Sequence, residues 1–313
     1  MAETPAQLAA LRQFSDQLAS VVEYAARSIV TVAARPRQTA TGIIWRADTA
    51  TIILTADHVI ERKDEITVTL PDTREVKAHL IGRDPGTDLA ALRLPDVALS
   101  TEHVAEDTSE HLRVGHLVLA IGRPTSDGLR VSFGAVSAID GPHRSWQGNE
   151  REGVIYPDVT LYPGFSGGPL VDLAGRVVGL NSSQLTRQPS SALPVATLRR
   201  VANALVQHGY VPRGYLGVGT QQAPLPAALA HKVGSTQQAA LLILTVEPGS
   251  PAEQAGLMMG DLLVSLGSQP TTDGATLRAQ LGAERLGQMI PAKILRGGEP
   301  RDITITVAER SER

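Results

Sequence analysis

The sequence predicts a mainly β chain of two domains, and three observations carry that reading. From Ser28 to about Asn181 the chain consists of short β-branched runs separated by turn residues, with no helical pattern between them. Many short strands of this kind build an antiparallel barrel or a sandwich. A helical stretch and the breakers Gly209, Pro212 and Gly214 follow, and a shorter segment then mixes strands with two helix signals. Finally, 313 residues exceed what most single cores organise.

Residues 1–27 read as a helix. Thr4, Pro5 and Gln7 fit its cap, first-turn proline and capping-box glutamine. Leu11, Phe14, Leu18, Val21 and Ala25 recur at alternating steps of three and four, which lays one apolar stripe along it. Such a stripe packs on its own domain or meets copies of itself. The first domain, 28–208, holds strands at 29–32, 51–54, 66–70 and 177–180, with turns at Asp84-Pro85-Gly86 and Ser126-Asp127-Gly128. It closes with a helix over 193–208 whose Leu198, Val201, Ala202 and Leu205 share one face. In the second domain, 213–308, Ser250-Pro251-Ala252-Glu253 is a capping box ended by Gly256, and another helix runs from Asp273 through Leu281. Strands at 241–246, 261–266, 292–295 and 303–307 surround these helices, and 223–230 reads as a Pro/Ala loop.

Composition removes several classes. A net charge of −3 gives no reason to expect nucleic acid as a partner. The absence of cysteine excludes disulfides, a cysteine nucleophile and thiolate metal sites. No apolar run approaches a membrane span. The start, Met1 to Gln7, lacks a basic region and a following apolar core, so the expectation from it is an unexported, cytoplasmic chain.

The chemistry-bearing stretch is Pro163-Gly164-Phe165-Ser166-Gly167-Gly168-Pro169-Leu170. A hydroxyl at its free pKa is a poor nucleophile and needs a base and oxyanion donors. Glycines around Ser166 permit sharp backbone angles and close approach by substrate; a glycine-rich turn between strands would look the same. Among eight histidines, His58 ends an apolar run, Ile53-Leu54-Thr55-Ala56-Asp57-His58, where a rigid element can aim it. Alone it could equally be a packed or exposed histidine. Asp88 stands just before the apolar run Leu89-Ala90-Ala91-Leu92; a carboxylate buried there needs a partner, which an imidazole N–H supplies. Asp84 is better explained as a turn former before Pro85-Gly86. The order His58, Asp88, Ser166 is that of chymotrypsin-type proteases. An α/β-hydrolase requires serine first and a helix after it, whereas here a strand-turn-strand pattern follows. His103, His111 and His116 lack ligand spacing, so no metal and no other cofactor is expected.

These segments, with Arg213-Gly214-Tyr215-Leu216-Gly217-Val218, Val246-Glu247-Pro248-Gly249-Ser250-Pro251-Ala252 and Gly260-Asp261, resemble the HtrA/Deg family from about Ser28 to Val307. That resemblance implies a trypsin-like double antiparallel β-barrel followed by a PDZ domain, a β-sandwich-like unit with two helices. It implies a Ser-His-Asp triad of Ser166, His58 and Asp88, with the Gly164 and Ser166 amides as the oxyanion hole. By analogy the specificity pocket is lined near Leu161 and by the segment Asn181–Leu185, with Leu161 and Leu185 favouring an apolar residue before the scissile bond. Tyr215, Leu216, Gly217 and Val218 would receive peptide C-termini by β-addition. Relatives commonly form trimers through amino-terminal segments, which gives the helical stripe a role, and most work in the periplasm or cell envelope. Phe165 departs from the family, which usually has asparagine there, and Asp57 likewise stands where asparagine is frequent. Two functions follow: an endopeptidase for unfolded or misfolded proteins regulated by its PDZ domain, or a proteolytically silent peptide-binding scaffold or holding chaperone. The intact triad favours the first.

Overall fold

The computed structural model describes residues 5–309 apart from 49, 63, 96–111, 126–127, 141–142, 145–149 and 152. His103, His111 and the capping Thr4 lie outside the described residues, as does most of the Ser126-Asp127-Gly128 turn. The chain divides into two compact units, Met1–His143 with Arg151–Val211, and Arg144–Glu150 with Pro212–Arg313.

The first unit opens with α1 (Pro5–Ala26). Its stripe splits: Leu18, Val21 and Val22 pack on the core and Ala25 is buried, whereas Leu11 and Phe14 are exposed. The helix therefore has a docked half and an apolar half left open.

Strands β1 (Ile29–Ala33), β2 (Ala40–Ala47), β3 (Ala50–Ala56), β4 (Ile66–Thr69), β5 (Glu75–Asp84) and β6 (Leu89–Arg93) close one barrel in the order β1-β2-β3-β6-β5-β4. After β7 (Leu117–Thr125) and β8 (Gly128–Asp140), a short pair, β9 (His143–Arg144) and β10 (Glu150–Arg151), precedes β11 (Val154–Pro157). With β12 (Pro169–Asp172), β13 (Val177–Ser182) and β14 (Ser191–Pro194) these close the second barrel, β11-β14-β13-β12-β7-β8. Among the described residues the pairings within both barrels are antiparallel, and closure pairs each barrel strand on both sides. The alternative of a sandwich is thereby settled in favour of two barrels. Helix α2 (Val195–His208) buries Leu198, Val201, Ala202 and Leu205, and Gly209 ends it at φ 81° with its N–H on the Leu205 carbonyl.

In the second unit, β15 (Gly214–Tyr215) pairs with β22 (Ala308–Glu309). A separate sheet runs β16 (Val218–Pro224), β17 (Ala239–Val246), β18 (Leu262–Leu266), β20 (Met289–Arg296), β21 (Glu299–Thr306), with β19 (Gln269–Pro270) beside β18. Strand β16 is an edge. Helices α3 (Ala227–Lys232), α4 (Pro251–Gln254) and α5 (Gly274–Ala279) complete the unit. The expected Pro/Ala loop contains α3, because Pro226 stands outside the helix interior, at the N-cap, where its missing N–H costs no intrahelical bond, and an alanine-rich run follows. Ser250 caps α4 by accepting the Glu253 N–H, while the Glu253 carboxylate takes the Gly249 amide. In Gly260-Asp261 the buried Asp261 carboxylate receives two N–H groups of Arg296 at 2.8 Å and the Met258 amide. Among the described residues no helix is long and apolar enough to cross a membrane.

Candidate active site

His58 and Asp88 meet because β3 and β6 are neighbours in the first barrel. Ala56 pairs with Leu89, so the chain just past β3 lies beside the residue just before β6. His58 sits on a one-turn 3-10 helix, Asp57–Val59. Its Nδ1 is 2.8 Å and 3.0 Å from the two carboxylate oxygens of Asp88, and its backbone N–H donates to Oδ1 at 2.9 Å. Asp88 is 7% exposed and left-handed at φ 54°, a conformation that aspartate tolerates better than most residues. Its carboxylate also accepts the hydroxyl of Ser182. A carboxylate with three donors suits burial. Asp84 instead accepts the Gly86 amide and the Thr87 hydroxyl, closing the turn that delivers Asp88.

Asp57 has a partner of its own. The buried Asp57 carboxylate holds Arg83 Nε, and Arg83 reaches the Asp57 and Ile60 carbonyls at 3.3 and 3.4 Å. The Asp57 hydrogen bond, and the charges of Asp57 and Asp88, raise the Arg83 guanidinium above its ordinary pKa. Arg83 thus stays charged and braces the turn that carries His58.

Ser166 comes from the second barrel, on the turn between β11 and β12. Gly164 and Gly167 stand at φ 89° and 87°, and a Cβ on Gly167 would lie 2.1 Å from the Thr41 carbonyl, so glycine is required there. The Ser166 hydroxyl lies 3.1 Å from that of Ser183 and accepts the Ser183 amide at 3.4 Å; among the described residues no hydrogen bond joins it to His58. The Gly164 and Ser166 amides likewise have no acceptor among the described residues, although both residues are buried.

Phe165 points the other way, into the second barrel. It is fully buried with Val118, Ala120, Leu170 and Val178, and meets Tyr162 edge-to-face at 5.5 Å. Gly122 makes the space, since a Cβ there would be 2.6 Å from the Phe165 ring. The unusual residue of the turn is its apolar anchor. Phe165→Ala is expected to cost about 3–5 kcal/mol of stability, measured by urea unfolding; a loss below about 1 kcal/mol would contradict this packing role.

Of the residues expected near a specificity pocket, Leu161 is half-buried against the second-barrel core. Leu185 is buried in one core with Tyr156, Leu180 and Leu193, and Asn181 is fully buried with its Nδ2 on the Pro169 carbonyl. In the second unit Gly217 has φ 79°, and a Cβ there would stand 2.2 Å from Ser250 Cβ. The Leu216 and Gly217 carbonyls accept the Ala252 and Glu247 amides, while the Leu216 and Gly217 amides have no acceptor among the described residues. Tyr215 donates its hydroxyl to Glu247, and Val218 begins the edge strand β16. Among the described residues no cluster of His, Asp and Glu gathers as metal ligands. Ser182 and Ser183 lie in the segment expected to line the pocket, but their bonds to Asp88 and Ser166 were not foreseen, because neither stands in a catalytic motif.

Comparisons with known proteins give the relatives of this chain. A family model described as a trypsin-like peptidase domain matches residues 40–180, and a PDZ domain model matches 214–307. A probable periplasmic serine endoprotease, DegP-like, of Halomonas elongata is 37% identical over 262 residues, covering 82% of this chain and 54% of that protein. One of the same name from Pseudomonas fluorescens is 38% identical over 260 residues, covering 82% and 53%. The chain thus spans about half the length of the curated relatives it matches. Among solved structures, the HtrA-type protease AlgW with a decapeptide superposes with a TM-score of 0.76 at 30% identity, covering 95% of this chain and 99% of that one. The serine endoprotease from Yersinia pestis gives 0.74 at 29%, covering 94% and 98%. The expected cytoplasmic location is corrected by the curated relatives, whose names place them in the periplasm. Signal segments are removed on export, so a start without one carries no information about compartment.

Proposed function

Because the chain belongs to the HtrA family of serine proteases, we propose that it is a periplasmic serine endopeptidase. It cleaves unfolded or misfolded proteins and responds to peptides bound at its PDZ domain. The observation that carries this reading is the Asp88 carboxylate holding His58 Nδ1 at 2.8 Å beside the glycine-built turn that presents Ser166.

His58 takes the Ser166 proton on Nε2 as the hydroxyl attacks a peptide carbonyl, then returns it to the leaving amine. Asp88, steadied by Ser182, keeps the proton on Nδ1 and stabilises the imidazolium. The Gly164 and Ser166 amides receive the oxyanion. Before attack the Ser166 hydroxyl must leave Ser183 and turn to the imidazole. Leu161, the half-buried one of the named pocket residues, offers an apolar surface to the residue before the scissile bond.

Peptide C-termini add as a strand along β16, with the Leu216 and Gly217 amides on the terminal carboxylate. Solved HtrA-type proteases with a decapeptide and a tripeptide support peptide binding. The test is release of peptides from unfolded casein by wild type and Ser166→Ala, with and without a peptide bearing a free carboxylate. Release by wild type and its loss in the variant are expected. Equal release from both overturns the assignment, and no release from wild type leaves the peptide-binding scaffold or holding chaperone.

The chain acts as a homotrimer built through the exposed Leu11 and Phe14 of α1, at 59% and 40% exposure the open part of an otherwise docked stripe. Light scattering is expected to give three times the chain mass; a monomer persisting at micromolar concentration rejects it.

A further inference from the structure

Thr41 stands outside every motif that pointed to the site, yet it holds two carbonyls of the nucleophile turn. It lies on β2 of the first barrel and is fully buried. Its hydroxyl donates to the Gly164 carbonyl at 2.6 Å and accepts the Arg123 amide at 2.8 Å. With that amide in place, the one hydroxyl proton is directed to Gly164. Its N–H donates to the Ser166 carbonyl at 3.2 Å, and its carbonyl accepts the Thr55 hydroxyl at 2.7 Å. Thr55 is on β3, three residues before His58.

The Gly164 and Ser166 carbonyls are held by Thr41, and the Phe165 carbonyl accepts the Gly168 amide. The Phe165 amide donates to the Tyr162 carbonyl. Among the described residues, the pair of amides on Gly164 and Ser166 is what remains of the turn without an acceptor. Donors can stabilise a developing oxyanion only if they are already aimed when it forms. We infer that Thr41 is a positioning residue: its hydroxyl and amide orient the peptide planes so that these two amides are left facing the reaction, in register with the strand that carries the base. This rests on the protease reading above.

Thr41→Val keeps the shape and removes the hydroxyl, whereas Thr41→Ser keeps it. For a short peptide substrate, kcat in Thr41→Val is expected to fall about 10²-fold, the scale of losing one oxyanion donor, with KM within about twofold. Thr41→Ser should stay within about threefold of wild type. A peptide aldehyde, whose adduct places its oxygen at the same donors, should bind Thr41→Val about 10²-fold more weakly. If Thr41→Val does not fold, Thr41→Cys, with a weakly donating thiol of similar size, must show the same loss confined to kcat on a smaller scale. An unchanged kcat, a loss carried by KM alone, or unaltered aldehyde binding in the folded variant overturns the inference. An inactive wild type would instead sink the protease reading.

Discussion

Ser166→Ala is expected to lower the rate of casein cleavage by about 10⁶. The size follows from how the parts cooperate. Without the hydroxyl there is no acyl-enzyme, so the base at His58 and the acid behind it have no proton to move. Only the amides of Gly164 and Ser166 and the binding groove continue to act, on a water molecule that nothing orients. The substitution itself is mild: it removes one oxygen, whose partners are Ser183 groups at 3.1 and 3.4 Å. Folding should therefore survive, and a melting curve close to wild type should accompany the loss. Because the residues act as a unit, a second substitution at Asp88 in the Ser166→Ala background should add little. A variant retaining more than about a hundredth of wild-type activity would place the nucleophile elsewhere.

Asp88→Asn is the second large effect, a fall in kcat of about 10⁴ near neutral pH with KM little changed. The carboxylate accepts from His58 Nδ1, from the His58 amide and from Ser182. An asparagine amide has one acceptor oxygen and two N–H donors. With its nitrogen toward the ring it favours the tautomer protonated on Nε2, which cannot take the Ser166 proton. Asparagine is the informative replacement because residue 88 is left-handed at φ 54°, where alanine would add backbone strain and confuse chemistry with folding. Steady-state kinetics with a short peptide substrate measures it; a loss smaller than tenfold would mean that Asp88 serves only to hold the turn.

The legible features of this chain are those set by residues near one another. The β-branched runs, the capped helices α4 and α5 and the glycine turn around Ser166 depend on propensity and backbone angles within a few residues. Asp88 was legible because a carboxylate just ahead of an apolar strand must be paired, and His58 because it ends a strand. Proline misled once, at Pro226, whose place at the N-cap, outside the helix interior, leaves no intrahelical bond broken. Phe165 was visible only as an oddity.

Ser182 and Thr41 lay beyond reach for a common reason. Ser182 meets Asp88 across 94 residues and Thr41 meets Gly164 across 123, and neither pairing is encoded by spacing. Each exists because the barrels close and bring a buried donor to a buried acceptor far away in the chain. The sequence by itself therefore determined the strand-rich two-domain plan, the order of His58, Asp88 and Ser166, and the turn that needs glycine. Tertiary structure alone decided that Phe165 anchors that turn over Gly122, that Ser183 holds the resting hydroxyl, and that Thr41 joins the strand of the base to the loop of the nucleophile. Local propensity acts over a few residues, while burial selects partners over the whole chain.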